Sequence, residues 1–533
     1  MTARQRWTLV ATVIGSGSVF LDGTIVNVAL PRIGRELPSS LFGVLEGQTY
    51  VVSGYLAVLA ALLILAGALS DHYGRRRIYA IGLASFGATS ALCGLAPTLE
   101  WLVLFRLLQG AAGALLVPGS ISIITQTFGA GAARGRAFGI WASATSGLVL
   151  AGPLVGGLLV DSVGWRFAFL VNVPVLAFAL WVTLRHVADS RDTGARRFDW
   201  LGSFVAALAI GGLSFGLIRG GEHEWHDAAS WIAIVVGAGA LVAFPILMAR
   251  REDPLVPLSL FRNRAFATIN LATFFIYGGL YVTFSYQGIL YQNVLGYTAA
   301  AAGAVGLPTG LSLTLLSTPI GAIAGRVGTR RFLVGGPLVV ASGLLWLTRL
   351  PVDSAPWKAS VADLSTLIPP PGVFIDVVPA VLLFGLGMAC IVAPLTNTLM
   401  GSVPARYSGL GSAINNAIAR VGQPLLGAVI FVAISATFYS SLGSLAPELD
   451  PHSAEVRATY SPLNPPKGAA TPAEIDAAKR ASVDAFHLAM FVAAGLFVVG
   501  SAVSWFGLHD DRPARAVEAG EAAGGAESRA TAS

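Results

Sequence analysis

The chain has 533 residues, 55% hydrophobic and only 12% charged, with a mean hydropathy of +0.71 and a net charge of +6. A soluble globular protein carries about twice that share of charge, so this balance excludes one and indicates a polytopic membrane protein. Cys93 and Cys390 are the only cysteines and both sit in apolar stretches, which excludes a disulfide framework and a thiolate metal site.

Segments of about 18 to 25 apolar residues, each long enough to cross a bilayer core of roughly 30 Å, recur along the chain. Fourteen are expected, near residues 8 to 30, 47 to 69, 78 to 96, 100 to 125, 136 to 160, 166 to 184, 200 to 219, 229 to 249, 265 to 289, 299 to 321, 332 to 350, 374 to 400, 410 to 438 and 485 to 507. The first has no small-residue cleavage site behind it and is read as a retained helix. Counted by loop, 22 Lys or Arg fall on the side of the N-terminus and 10 on the other, with Arg106 and Arg420 inside spans. Both termini are therefore expected in the cytoplasm. The positive charge is a topology signal, and nothing in it calls for nucleic acid.

The first span carries Asp22 inside Leu21-Asp22-Gly23-Thr24-Ile25-Val26-Asn27-Val28-Ala29-Leu30-Pro31. A carboxylate near a bilayer centre costs several kcal/mol, and a chain that keeps one there usually carries a proton or holds a cation with it. Arg106 on the fourth span lies about 8 Å below the outer end at about 1.5 Å per residue, and Asp22 about 12 Å below the same surface. An ion pair between them is geometrically open, against the alternative that Arg106 snorkels outward.

Further along, His223 and His226 are three residues apart in a short loop, which is not the four-residue spacing of a zinc-hydrolase helix, and no metal site is expected. The ninth span puts Phe274, Tyr277, Tyr281 and Phe284 on one helical face, a candidate aromatic pocket or a packing stripe. The thirteenth holds Asn415, Asn416, Arg420 and Gln423. An intramembrane arginine binds an anionic group, neutralises a carboxylate or braces two helices, and the sequence leaves these open. Residues 440 to 484 read as a polar external loop whose stretch from Pro472 to Asp484 has the composition of a short surface helix, and 510 to 533 read as a disordered cytoplasmic tail.

A faint repeat organises the whole. Gly67-Ala68-Leu69-Ser70-Asp71-His72-Tyr73-Gly74-Arg75-Arg76-Arg77 follows the second span, and Gly321-Ala322-Ile323-Ala324-Gly325-Arg326-Val327-Gly328-Thr329-Arg330-Arg331 follows the tenth, with glycines and trailing arginines at the same offsets. Two halves on one plan is the pattern of secondary transporters, with a substrate site between them near the midplane. The expected organisation is an all-α membrane protein: a six-helix bundle over 1–185, an inserted two-helix hairpin with linkers over 186–264, a second six-helix bundle over 265–509, and the tail.

The run from Gly67 to Arg77 resembles the cytoplasmic signature loop of the major facilitator superfamily, and three other segments extend the resemblance. Leu102 to Pro118 is similar to the family pattern in which an arginine, here Arg106, takes part in proton coupling, with Gln109 three residues on. Gly152-Pro153-Leu154-Val155-Gly156-Gly157 resembles the antiporter signature, departing from it at Leu148, where the family has glycine. The Leu21–Pro31 run matches the first-span signature of the fourteen-span drug:proton antiporters.

The resemblance implies a proton-coupled multidrug efflux transporter and not an enzyme, exporting amphipathic small molecules across the cytoplasmic (inner) membrane as a monomer, without cofactor or metal, on the proton gradient alone. It implies proton coupling by Asp22 and Arg106, and a gate at Gly67, Asp71, Gly74, Arg75 and Arg76. The antiporter seal would be Gly152, Pro153, Gly156 and Gly157, and substrate contacts are expected from Asn27, Gln109, Tyr277, Tyr281, Asn415 and Arg420. Export of one dedicated compound (a peptide, siderophore, amino acid or lipid) is the alternative, and a non-transporting scaffold or sensor is the alternative of another class.

Overall fold

The computed structural model describes residues 1–128, 132–190, 199–252, 254–360, 362–403 and 408–509. The expected tail, 510–533, lies outside the described residues. The first bundle comprises α1 (Ala3–Glu36), α2 (Val44–Tyr73), α3 (Arg75–Gly94), α4 (Leu99–Phe128), α5 (Ala132–Ser162) and a last crossing broken at Val171 into α6 (Phe167–Leu170) and α7 (Asn172–His186). The hairpin is α8 (Trp200–Glu222) and α9 (Ala228–Arg250). In the second bundle, α10 (Arg264–Ile289) is followed by α11 (Ala299–Ala304) with α12 (Leu307–Val327), α13 (Arg330–Leu347), α14 (Pro371–Asp376) leading into α15 (Val378–Gly401), and α16 (Ser408–Leu445). The short α17 (Ala454–Thr459) and the long α18 (Pro472–Gly507) complete it.

Thirteen of these crossings are long and apolar enough to span a membrane. The fourteenth is α3, 20 residues that open on three arginines and therefore fall short in apolarity, but pack between α4 and α7. The stretch from Pro472 to Asp484 is a correction. It is no separate surface helix but the first turns of α18, started by a capping box in which Thr471 accepts from Glu474 N and Glu474 returns to the Thr471 N–H. Pro472 sits at the first helical position, where its missing N–H costs nothing, and no breaker separates it from the membrane part.

The same helix pairs pack in both bundles. α1 lies on α5 and α7 as α10 lies on α16 and α18, and α3 lies on α4 and α7 as α13 lies on α15 and α18. The faint repeat also survives in the backbone. Gly74 has φ 103° and Gly328 has φ 97°, so each turn uses the left-handed region that glycine enters without a Cβ penalty. The hairpin is wedged mainly by α8, which packs on α2 of one bundle and α16 of the other, where Ser214 Oγ donates to Pro424 O at 2.8 Å, while the end of α9 places Met248 against Leu65 of α2. α9 packs on α8 and turns Trp231, Val235, Val242 and Ile246 outward.

The bundles meet at the face opposite the N-terminus, the distal face, and separate towards the other. α5 packs along α11 but barely touches α12. Consistently, Gly156, Gly157 and Val160 at the distal end of α5 are buried, while Ala142, Ser143 and Gly147 near its start are exposed. Likewise Ala299 to Ala301 are buried and Ile323, Gly325 and Arg326 exposed. The molecule is closed distally and splayed on the side of its termini.

Candidate functional site

Asp22 and Arg106 meet. Arg106 Nη1 lies 2.5 Å from Asp22 Oδ2, and the two side chains are 0% and 1% exposed, the aspartate the deeper. Gln109 completes the unit, donating from Nε2 to Asp22 Oδ1 at 3.2 Å and accepting from Arg106 Nη1 at 2.7 Å. Arg106 Nε donates to Val51 O at 3.0 Å, and its guanidinium stands 4.0 Å from the Tyr55 ring centre. Gly110 makes this reach possible, because a Cβ there would lie 2.5 Å from Tyr55 O, so only glycine lets α4 come this close to α2. A buried ion pair survives when further hydrogen bonds satisfy its remaining donors and acceptors, and Gln109 with Val51 O does so here.

Arg106 forms part of the wall of a cavity of about 60 Å³ between the bundles, to which Phe20, Thr24, Asn27, Tyr55, Tyr281 and Arg420 also contribute. Asn27 Oδ1 accepts from Ser285 Oγ at 3.2 Å, joining α1 to α10 at its edge. The expected substrate residues divide: Asn27, Tyr281 and Arg420 line the cavity, whereas Gln109 is held in the ion-pair unit. Asn415 is spent on an α16–α10 brace, donating to Asn270 Oδ1 at 3.1 Å and Thr273 Oγ1 at 2.9 Å. Tyr277 neighbours Tyr281, with ring centres 6.4 Å apart, but is absent from the cavity wall. Phe20, Tyr55 and Ser285 were not singled out from the sequence, since neither an aromatic nor a serine in an apolar span signals which neighbour it faces.

The Gly-Pro segment of α5 forms two seams. Gly152 and Gly156 face Thr24 and Ile25 of α1, and Gly157 faces the backbone of Ala299 and Ala300 in the other bundle. Gly303 returns the contact against Pro153. Leu148, the departure from the signature, fills the space left by Gly17, so the missing glycine of α5 is supplied by α1. In the gate motif, Gly67 packs near Pro118, Gly74 makes the turn, the Arg75 backbone N–H donates to Ser190 O and Arg76 donates to Leu184 O. The side chain of Asp71 lies outside the described residues.

The distal closure is polar, and sequence reading missed most of it. Asp161 of α5 accepts from Ala299 N at 3.2 Å and Ala300 N at 2.7 Å, capping a helix start in the opposite bundle. Gln292, in a wide π-type turn after α10, donates to Val28 O at 2.9 Å. The loop after α16 plugs the seam: Asn464, 6% exposed, donates to Gln48 Oε1 at 3.1 Å and accepts from Asn293 Nδ2 at 2.9 Å, bridging α2 to the end of α10. Gln48, a polar residue in an apolar span, was the available signal, but its partner lies 416 residues away. Asn464→Ala removes both hydrogen bonds that join it to Gln48 across the seam, at about 1 kcal/mol each, so it is expected to raise the distally open population roughly thirtyfold. Distal-side labelling of a cysteine placed at Ser285 checks this.

Among the described residues no group of three His, Cys, Asp or Glu could hold a metal ion. The family model of the Major Facilitator Superfamily matches residues 12–427. The multidrug resistance protein Stp of Mycobacterium tuberculosis is 34% identical over 84% of this chain and 80% of its own length. The puromycin resistance protein pur8 of Streptomyces alboniger is 31% identical over 97% and 94%, and the tetracenomycin C resistance and export protein of Streptomyces glaucescens is 34% identical over 83% and 77%. Among solved structures, a bacterial homolog of the human lysosomal transporter Spinster aligns with 96% of this chain and 100% of its own at TM-score 0.58 and 17% identity, a likeness of fold.

Proposed function

This chain belongs to the major facilitator superfamily, and from that premise we propose that it is a proton-coupled exporter of amphipathic small molecules, a multidrug efflux antiporter. It is a multi-pass membrane transporter and not an enzyme. Its relatives are named as a multidrug resistance protein, a puromycin resistance protein and a tetracenomycin C resistance and export protein. The observation that carries the proton step is the buried Asp22–Arg106–Gln109 unit in the wall between the bundles.

In this reading the termini and the splayed face are cytoplasmic, the membrane is the cell's inner membrane, the protein works as a monomer, and the gradient alone drives it without a cofactor. Substrate enters from the cytoplasm or the inner leaflet as Asp22 gives up its proton to that side and takes hold of Arg106. When the cavity opens distally, a proton reaches Asp22, the carboxyl loses its grip on the guanidinium, and the substrate leaves. The gate at Gly67, Asp71, Gly74, Arg75 and Arg76 closes the cytoplasmic side in that state. The α5 seam of Gly152, Pro153, Gly156 and Gly157 closes the distal side in the other. Proton and substrate are coupled because each changes the other's affinity by the same factor.

The purified protein in weak buffer is expected to acidify the medium when aromatic amphiphiles are added, and the Asp22→Asn protein to give no such signal. A panel of neutral, anionic and cationic compounds separates a broad exporter from one dedicated to a single compound. Silence with every compound would return the chain to the scaffold class.

A further inference from the structure

Arg420 differs from every other buried charge near the cavity. It is 5% exposed and lines the cavity from α16, yet no carboxylate is among the lining residues. The nearby acid, Asp22, is already held by Arg106 and Gln109. The five N–H donors of the Arg420 guanidinium have no acceptor among the described residues here, and the group stands over the Phe20 ring, 5.4 Å from its centre. A cation–π contact of that kind offsets only a small part of what burying a cation costs. A strut would have spent these donors on backbone or side-chain oxygens, as Asn415 does five residues earlier on Asn270 and Thr273. Three aromatic rings, Phe20, Tyr55 and Tyr281, stand in the same wall. With Asp22 ionised and paired to Arg106, the charge left over in the cavity is that of Arg420.

Building on the exporter reading above, we infer that Arg420 is a substrate subsite which selects aromatic amphiphiles presenting an oxygen acceptor, a carboxylate or a carbonyl, and rejects permanent cations. The guanidinium takes the acceptor in a planar, bidentate hydrogen bond. The rings take the aromatic body, which extends toward the splayed face because the cavity itself has room for only a few waters. Charged acceptors bind tightest. Uncharged acceptors are exported best, since an anion beside Asp22 opposes loss of its proton.

Three probes on one ring system test this: 1-pyrenebutyrate, its carboxamide, and the matching pyrenebutyl trimethylammonium. Binding is read from pyrene fluorescence with wild-type, Arg420→Gln and Arg420→Lys proteins of matched thermal stability. Wild type is expected to favour the carboxylate over the ammonium by roughly tenfold or more, as suits a charge-assisted bond. Arg420→Gln should collapse that ratio to near one, and Arg420→Lys should restore most of it. An unchanged ratio in Arg420→Gln, a wild-type preference for the ammonium, or no binding of any probe to folded wild type overturns the inference. Transport of the carboxamide into proteoliposomes under a pH gradient is followed in parallel. Charge selection without gradient-driven transport sinks the exporter reading and leaves the subsite standing. Gradient-driven transport with Arg420-independent binding does the reverse.

Discussion

Asp22→Asn is expected to abolish uphill export driven by a pH gradient, lowering it at least about a hundredfold, while leaving a folded protein. The side chain it replaces sits 0% exposed against Arg106 and Gln109. Asparagine keeps the side-chain shape and an oxygen for the Arg106 guanidinium, but its Nδ2 is a donor that meets the Gln109 Nε2 donor, so the bond to Gln109 is lost together with the charge and the exchangeable proton. Either substitution takes the counter-charge from a buried guanidinium, and truncation to alanine would remove its acceptor as well, at about 3–5 kcal/mol, and confound function with folding. Accumulation of substrate in proteoliposomes with an imposed pH gradient measures the effect, and downhill exchange of substrate in the same vesicles reports that the bundles still move. Uphill, pH-dependent export by a folded Asp22→Asn protein would remove Asp22 from the mechanism.

The second large effect is expected at the seam between the bundles. A Cβ at Gly157 would lie 2.6 Å from the carbonyl carbon of Ala299 and 2.7 Å from Ala300 Cα. Both are backbone atoms and cannot swing aside, so Gly157→Val is relieved only by separating α5 from α11. Interfaces between membrane helices depend on small residues that allow such approach. Gly303 reciprocates against the Pro153 carbonyl, and the two glycines therefore set the distance at which the distal face shuts. The Gly157→Val protein is expected to stand distally open and to lose net export. A cysteine at Ser285 offers the readout, because Cys93 is buried and Cys390 half-buried. An impermeant maleimide applied from the distal side should label it many-fold faster in Gly157→Val than in the parent. Equal labelling rates would show that the seam does not gate the cavity.

How much of this was legible in the sequence depended on whether the signal was local. The spans were, because a bilayer requires about 20 apolar residues whatever their neighbours are. α3 shows the margin of that rule, since its three arginines lower its apolarity while its packing between α4 and α7 keeps it in the bundle. The reading of Pro472 to Asp484 as a separate helix failed for a related reason. Polarity marked the end of the apolar stretch, but helix propagation ends at breakers, and no glycine or second proline stands between Pro472 and Ala494. Leu148 was read as a defect in a motif on one helix, whereas the complement is Gly17 on another.

By itself the sequence determined the membrane class, the two-half plan, the inserted hairpin and the identity of the costly intramembrane charges, because each is a property of composition or of spacing along one helix. Only the tertiary structure decided which charges are partnered. Asp22 and Arg106, 84 residues apart, close a unit with Gln109, while Arg420 is left facing the cavity. It likewise decided that a loop more than 400 residues from α2 seals the distal face through Asn464 and Gln48. A buried polar group must find a partner somewhere in the fold, and a single chain segment carries no record of which one packing will bring to it.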